Sequence, residues 1–168
     1  MGDWTPGTVP TFTVGKLYAD DMDTMADIAT AQTSAWTTWV PTLANLTLGS
    51  GTVDAQYMRV GNTVDYRFSF LLGAGSAVGT APSFTLPATP NADYVDAGFK
   101  AFPVGASYIY DASGGTYVGL VFVLATSAAT IVYSTEVGAG SVNNITATAP
   151  ITFVATDKIF AYGRFETS

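Results

Sequence analysis

The residues best placed to do chemistry are two pairs of carboxylates, Asp54 with Asp65 and Asp93 with Asp96. Glycoside hydrolysis needs two acids facing each other across a bond, and calcium needs converging oxygens. Neither pair meets its requirement. A hairpin turning at Gly61-Asn62 puts Asp54 and Asp65 on one face but well apart along the strands, with Arg67 two residues from Asp65, so both read as solvated acids. Asp93 and Asp96, beside Asn91, lack the dense alternation of a calcium loop and read as turn formers. The chain has no histidine and no cysteine, which removes Ser-His-Asp and Cys-His arrangements, ordinary zinc sites, disulfides and the usual neutral-pH proton shuttle. Gly73-Ala-Gly and Gly138-Ala-Gly are followed by neither Lys-Ser/Thr nor a helix, so neither is a phosphate cradle. The expectation is no catalytic residue, no cofactor and no metal.

Surface recognition is the chemistry left. Tyr94, Tyr108, Tyr110 and Tyr117 flank two turn segments, 91–96 and 111–115. Aromatic rings beside Asn and Asp at loop tips contact saccharide or protein, which marks Asn91, Tyr94, Tyr110 and Asp111 as candidates. Tyrosines at strand ends are also ordinary sheet residues, and that alternative stands beside the first. Nucleic acid is not an expected partner: the net charge is −7 and the six basic residues are scattered.

The elements that must position these residues follow from composition and period. A length of 168 residues suits one domain with a short appendage. With 48% hydrophobic residues, 11% charged residues and a mean hydropathy of +0.31, the chain can bury a core. Its surface must then be mostly Thr, Ser, Gly, Asn and Ala, which suits a protein packed in an assembly. The longest apolar run, Tyr117 to Ala125, is far short of the roughly 18 residues of a membrane helix. Nor does the N-terminus resemble a signal peptide, so the expectation is a protein made and held in the cytoplasm until it is assembled or released.

Residues 1–35 read as a separate piece. Five of the thirteen acids lie there with Lys16 as the single base. Met1 to Gly15, with Trp4, Pro6, Pro10 and Phe12, reads as an extended arm that lies against a neighbouring surface. Asp20 to Ser34 reads as a short helix with acids at its positive end. Its narrow stripe of Met22, Met25 and Ile28 needs a partner, because a helix of this length is marginal alone. That partner is either the chain's own β domain or other copies of the helix.

From Trp36 to Ser168 the signals are strands and turns. The Gly61-Asn62 turn sets Val53, Ala55, Tyr57 and Arg59 opposite Phe70, Phe68, Tyr66 and Val64, with one face apolar and the other mostly polar. Further strands are predicted at 83–86, 97–102, 106–110, 116–124, 130–134, 151–154 and 158–165, with Gly114-Gly115 closing a second hairpin. Val118 to Leu124 is apolar on both faces, which predicts burial on both sides, within a sandwich or in a subunit interface. Many short, evenly spaced strands imply an all-β fold, a two-sheet sandwich or jelly roll.

Several motifs resemble a known family. The segment Gly15-Lys-Leu-Tyr-Ala-Asp-Asp-Met-Asp is similar to the Gly, two or three residues, Thr-Ala-x-Asp-Met/Leu-Asn opening of small virion proteins in phages of actinobacteria. There an arm leads into a short helix and a Trp-containing strand, and Trp36 and Trp39 stand in the matching place. Tyr57-Met-Arg-Val-Gly-Asn-Thr-Val resembles the Tyr-x-x-Val-Gly-x-x-Val hairpin of phage C-terminal jelly rolls, and Phe84-Thr-Leu-Pro their following strand end. Asp157-Lys-Ile-Phe-Ala-Tyr-Gly-Arg-Phe-Glu resembles their final strand. The departures are Tyr18 for Thr, Asp23 for Asn, Thr156 for the Gly before Asp157, and Phe165 for Tyr. Such domains resemble the trimeric jelly rolls of the tumour necrosis factor and complement globular-head group. The resemblance implies a homotrimeric, non-enzymatic virion protein. Residues 1–35 would anchor it to other virion proteins of capsid or tail, and the β domain, 36–168, would be displayed as capsid decoration, head fibre or minor tail protein. A host-surface glycan is the further partner implied for a tail role. A free carbohydrate-binding module is the alternative outside that family.

Overall fold

The computed structural model describes residues 35–94, 103–125, 128–134 and 142–167. The chain divides after Ser34. The expected arm and helix, with Trp4, Phe12, Met22, Met25 and Ile28, therefore lie outside the described residues, as does the strand expected at 97–102.

The described part is all-β and antiparallel. Its strands are β1 (Thr37–Thr38), β2 (Leu43–Thr47), β3 (Thr52–Val60), β4 (Thr63–Leu71), β5 (Ala77–Thr85), β6 (Pro103–Asp111), β7 (Gly115–Ala125), β8 (Ala128–Ser134), β9 (Val142–Asn144) and β10 (Lys158–Glu166). They form one sheet in the order β1-β3-β4-β10-β6-β7-β8-β5-β2, with β9 added on β8. The β3–β4 hairpin has the register its sequence predicts, Val53 opposite Phe70 through Arg59 opposite Val64. Gly61 carries the positive φ of 59° that a Gly-X hairpin turn demands.

The sheet cannot be flat. Nine strands spaced at about 4.8 Å would set β1 and β2 nearly 40 Å apart. Yet Thr38 and Leu43 are joined by four residues, which reach about 18 Å when fully extended. The two ends must therefore curl toward each other, and residues 39–42 make the crossing. Trp39 fixes it: its backbone N–H donates to Ala55 O on β3 at 3.0 Å, and its indole N–H donates to Thr85 O on β5 at 3.2 Å. Bulges at Ala44/Leu46, Pro103/Gly105 and Val123/Ala125 provide local bends. At the β6–β10 contact Gly105 faces Gly163; a Cβ on either would collide with the opposing backbone, so this close approach requires glycine.

Curling lets the two halves of the sheet bury each other's inner faces, the sandwich arrangement expected of a jelly roll. Phe68 of β4 stacks on Phe84 of β5 with centroids 4.3 Å apart. Tyr66 leans on both Phe84 and Phe165. Its hydroxyl donates to Val104 O at 3.4 Å, and burial pushes this phenol's pKa well above its ordinary value. Val64, Phe70, Ile109, Val121, Ile131 and Ile159 complete the buried centre.

Two expectations are corrected here. Residues 151–154 form no strand: Ile151 is buried and Phe153 packs on the core, so their alternation serves packing without a ladder. The second hairpin closes at Asp111 opposite Gly115, around Ala112, Ser113 and Gly114. Of Val118 to Leu124 the protomer buries one face, with Val121 and Val123 fully buried, whereas Val118 is exposed and Leu120 and Phe122 are half-buried, which leaves the subunit interface as the expected cover of the other face.

Candidate functional site on the outer sheet face

Strand alternation sends every second side chain of β10, β6 and β7 outward. On β10 these are Phe160, Tyr162 and Arg164, between buried Ile159, Ala161 and Phe165; on β6 they are Tyr108 and Tyr110, flanking Ile109. Cross-strand pairing lines them up. One row runs Val118, Tyr108, Phe160, Ser69, Asp54 and the next Leu120, Ala106, Tyr162, Arg67, Gln56. Tyr108, Tyr110, Val118, Phe160 and Tyr162 are between 37% and 56% exposed. Isolated exposed apolar residues are ordinary, but a contiguous set on rigid strands marks a contact surface.

The face has two halves that meet at Phe160 and Tyr162. Toward β6 and β7 it is apolar, with Lys158 at its margin opposite Tyr110. Toward β4 and β3 it is polar. Arg67 donates through Nε to Gln56 Oε1 at 3.0 Å and through Nη2 to the same oxygen. The Trp36 ring lies against its guanidinium, 4.6 Å from centroid to Cζ. Arg164 grips Asp65 with two bonds, 2.7 and 3.1 Å, which raises the arginine's pKa through the hydrogen bond and the paired charge. Two open clefts cross this half. One, of about 440 Å³, is lined by Asp54, Arg67, Ser69, Phe160 and Tyr162. The other, of about 660 Å³, is lined by Trp36, Met58, Asp65, Arg67, Tyr162 and Arg164.

The recognition candidates read from the sequence are not brought together. Tyr110 sits opposite Lys158 at the start of β10, and Asp111 follows as the last residue of β6. Its Oδ1 accepts from Ser113 Oγ and Ser113 N, both at 2.7 Å, and these bonds hold its carboxyl below its ordinary pKa, the side-chain bond foremost. Asn91 and Tyr94 lie at the other end of β10. Asn91 N donates to Glu166 O at 2.7 Å, Asn91 Oδ1 accepts from Asp93 N, and Glu166 N donates to the Tyr94 hydroxyl at 3.2 Å. Eight residues of strand, about 26 Å, separate the two groups. Tyr94 also packs on the core, so it fastens a strand end.

Asp54 and Asp65 share the outer face, four strand positions apart by register, and Asp65 is already paired. No group of three or more acids that could hold a metal exists among the described residues. Sequence reading missed Trp36, Arg67, Phe160 and Tyr162. The available signal was the one noticed at Val118 to Leu124: residues 158–165 also carry large apolar side chains on both alternating faces.

No family model matches this chain, and no curated protein does. Among solved structures, the chain is similar to the C-terminal receptor-binding domain of the avian reovirus fibre sigmaC, in a zinc crystal form. The identity is 18%, over 80% of this chain and 74% of that chain, with a TM-score of 0.41. A likeness of that degree says nothing of what this chain binds.

Proposed function

We propose that this chain is a non-enzymatic structural protein of a phage virion that assembles as a homotrimer through the apolar half of its outer sheet face. The observation that carries this reading is the row Val118 and Tyr108 with their neighbours, exposed Tyr110 and half-buried Leu120, uncharged and outward on strands whose other side is the core. A second copy is the natural cover, since protein interfaces are enriched in aromatics and depleted in charge at their centres. The virion setting and the threefold order draw support from the sequence motifs at 15–23, 57–64 and 157–166. In this reading residues 1–35 attach the trimer to other virion proteins and the β domain is displayed outward, as capsid decoration or head fibre. Placement in the tail is the competing assignment, and copy number on the particle separates the two.

Sedimentation of the full chain is expected to give a species of three 17.5 kDa copies. Tyr108→Asp should shift it to monomer while leaving the fold intact, because the side chain is exposed in the protomer. A parent protein that sediments as a monomer at tens of micromolar defeats the proposal.

A further inference from the structure

We propose that the groove running from Phe160 to Trp36, across β10 and β4 on the polar half of the outer face, binds a neutral saccharide chain. A pyranose presents apolar C–H faces and a polar rim of hydroxyls. The groove offers the complement of both. Phe160, Tyr162 and Trp36 supply exposed rings, which give flat apolar contact at little cost in side-chain freedom. Between the rings stand Asp54, which only accepts hydrogen bonds when ionised, Arg67, which only donates, and Ser69, which does both. A carboxylate beside a guanidinium matches two neighbouring hydroxyls, one donating and one accepting.

The groove is preorganised. Arg67 is held by Gln56 on one side and by the Trp36 ring on the other, and its bonds to Gln56 leave other N–H groups to donate. The rings sit on paired strands, so binding need not order a loop. Arg67 and Tyr162 line both clefts, which makes them one continuous track. Phe160 and Tyr162 are two residues apart on β10, about 6.7 Å, so the track suits an oligomer over a single sugar. Charge selects the class of saccharide. Asp54 and Asp65 balance Arg67 and Arg164 along the strip, on a chain of net charge −7, so a polyanionic polymer gains no net attraction there. This inference is independent of the assembly proposed above.

The test uses the full chain in affinity electrophoresis through gels containing dextran, mannan, galactan or alginate. At least one of the three neutral polymers is expected to retard the protein, and alginate is not. Tyr162→Ala and Arg67→Ala should each weaken retardation about tenfold or more, while Val60→Thr, at the far hairpin end, should not. Arg67→Lys keeps the charge but loses the planar fork, and should fail likewise; it serves if Arg67→Ala proves unfolded. Sedimentation of the same samples keeps the two proposals apart: Arg67→Lys should lose retardation with its oligomeric state unchanged. Failure of all three neutral polymers, equal retardation by alginate, undiminished binding by the variants, or loss of binding only when the oligomer dissociates would each overturn the groove.

Discussion

The two halves of the outer face are built on one sheet, by the same alternation, over one core, and yet they differ in what they ask of their surroundings. On β6 and β7 the outward positions are Tyr108, Tyr110, Val118 and Leu120. On β4 and β3 they are Asp65, Arg67, Ser69, Asp54 and Gln56, with Arg67 bonded to Gln56 and Asp65 to Arg164 of β10. The polar half is satisfied in water. The apolar half gains only when water leaves it, at about 25 cal/mol for each Å² covered. Inward-facing residues look alike on both halves, so fold stability does not explain the split. The two halves therefore differ in what each would gain from being covered.

The strongest way to break this comparison is to cut the tie that holds the halves together at their base. Asp157 is fully buried. Its Oδ1 accepts from Ala112 N in the β6–β7 turn at 3.0 Å, and its Oδ2 accepts from Val154 N at 2.8 Å. Its backbone carbonyl accepts from Leu72 N, just past β4, at 2.9 Å. Asp157→Ala leaves two backbone N–H groups without their acceptor and is expected to cost about 2–4 kcal/mol, read from urea denaturation. Asp157→Asn, which keeps one acceptor oxygen, should lose less. If both variants unfold as the parent does, the halves do not depend on this joint.

How much of this was legible in the sequence depended on locality. The β3–β4 register could be read residue by residue, because a two-residue Gly-X turn fixes the pairing and Ala55, Val64, Tyr66, Phe68 and Phe70 mark the inner face. The double-sided apolar character of residues 118–124 was legible too, but the sequence could not say which side the chain itself covers. β2 was missed because Asn45 takes a positive φ of 57° and the register slips between Ala44 and Leu46, which erases the alternation. The outer face was hidden for a different reason. Val118, Tyr108 and Phe160 become neighbours only through strand order, with β10 inserted between β4 and β6, and no local signal records that order. The bond between Glu166 N and the Tyr94 hydroxyl was hidden on the same ground, since the two residues are 72 positions apart.

A smaller effect sharpens the comparison from the same joint. Thr156 has φ of 83°, a region that β-branched residues rarely occupy. Its N–H still donates to Leu72 O at 2.9 Å, so the conformation is imposed by the pairing beside Asp157. Thr156→Gly should relieve that strain and raise stability by about 1 kcal/mol, seen as a higher denaturation midpoint with an unchanged slope. A loss of stability would mean that the threonine side chain contributes more than its backbone costs.

The smallest expected effect lies within the polar half. Arg164 and Asp65 form a two-bond ion pair, but the arginine side chain is 69% exposed. Exposed pairs of this kind contribute little because solvent screens them, so Arg164→Ala should barely move the denaturation midpoint, and still less in high salt. The measurement bears on the division of the face because it is made on the assembled protein. A hydrated pair keeps its small value when copies come together. A pair desolvated by a neighbour cannot: removing one partner would strand a buried charge, at about 3–5 kcal/mol. A midpoint that barely moves at concentrations where the protein is oligomeric therefore keeps this half open to water and to a ligand. A large drop in the midpoint would extend the contact surface across the whole sheet and erase the distinction between the halves.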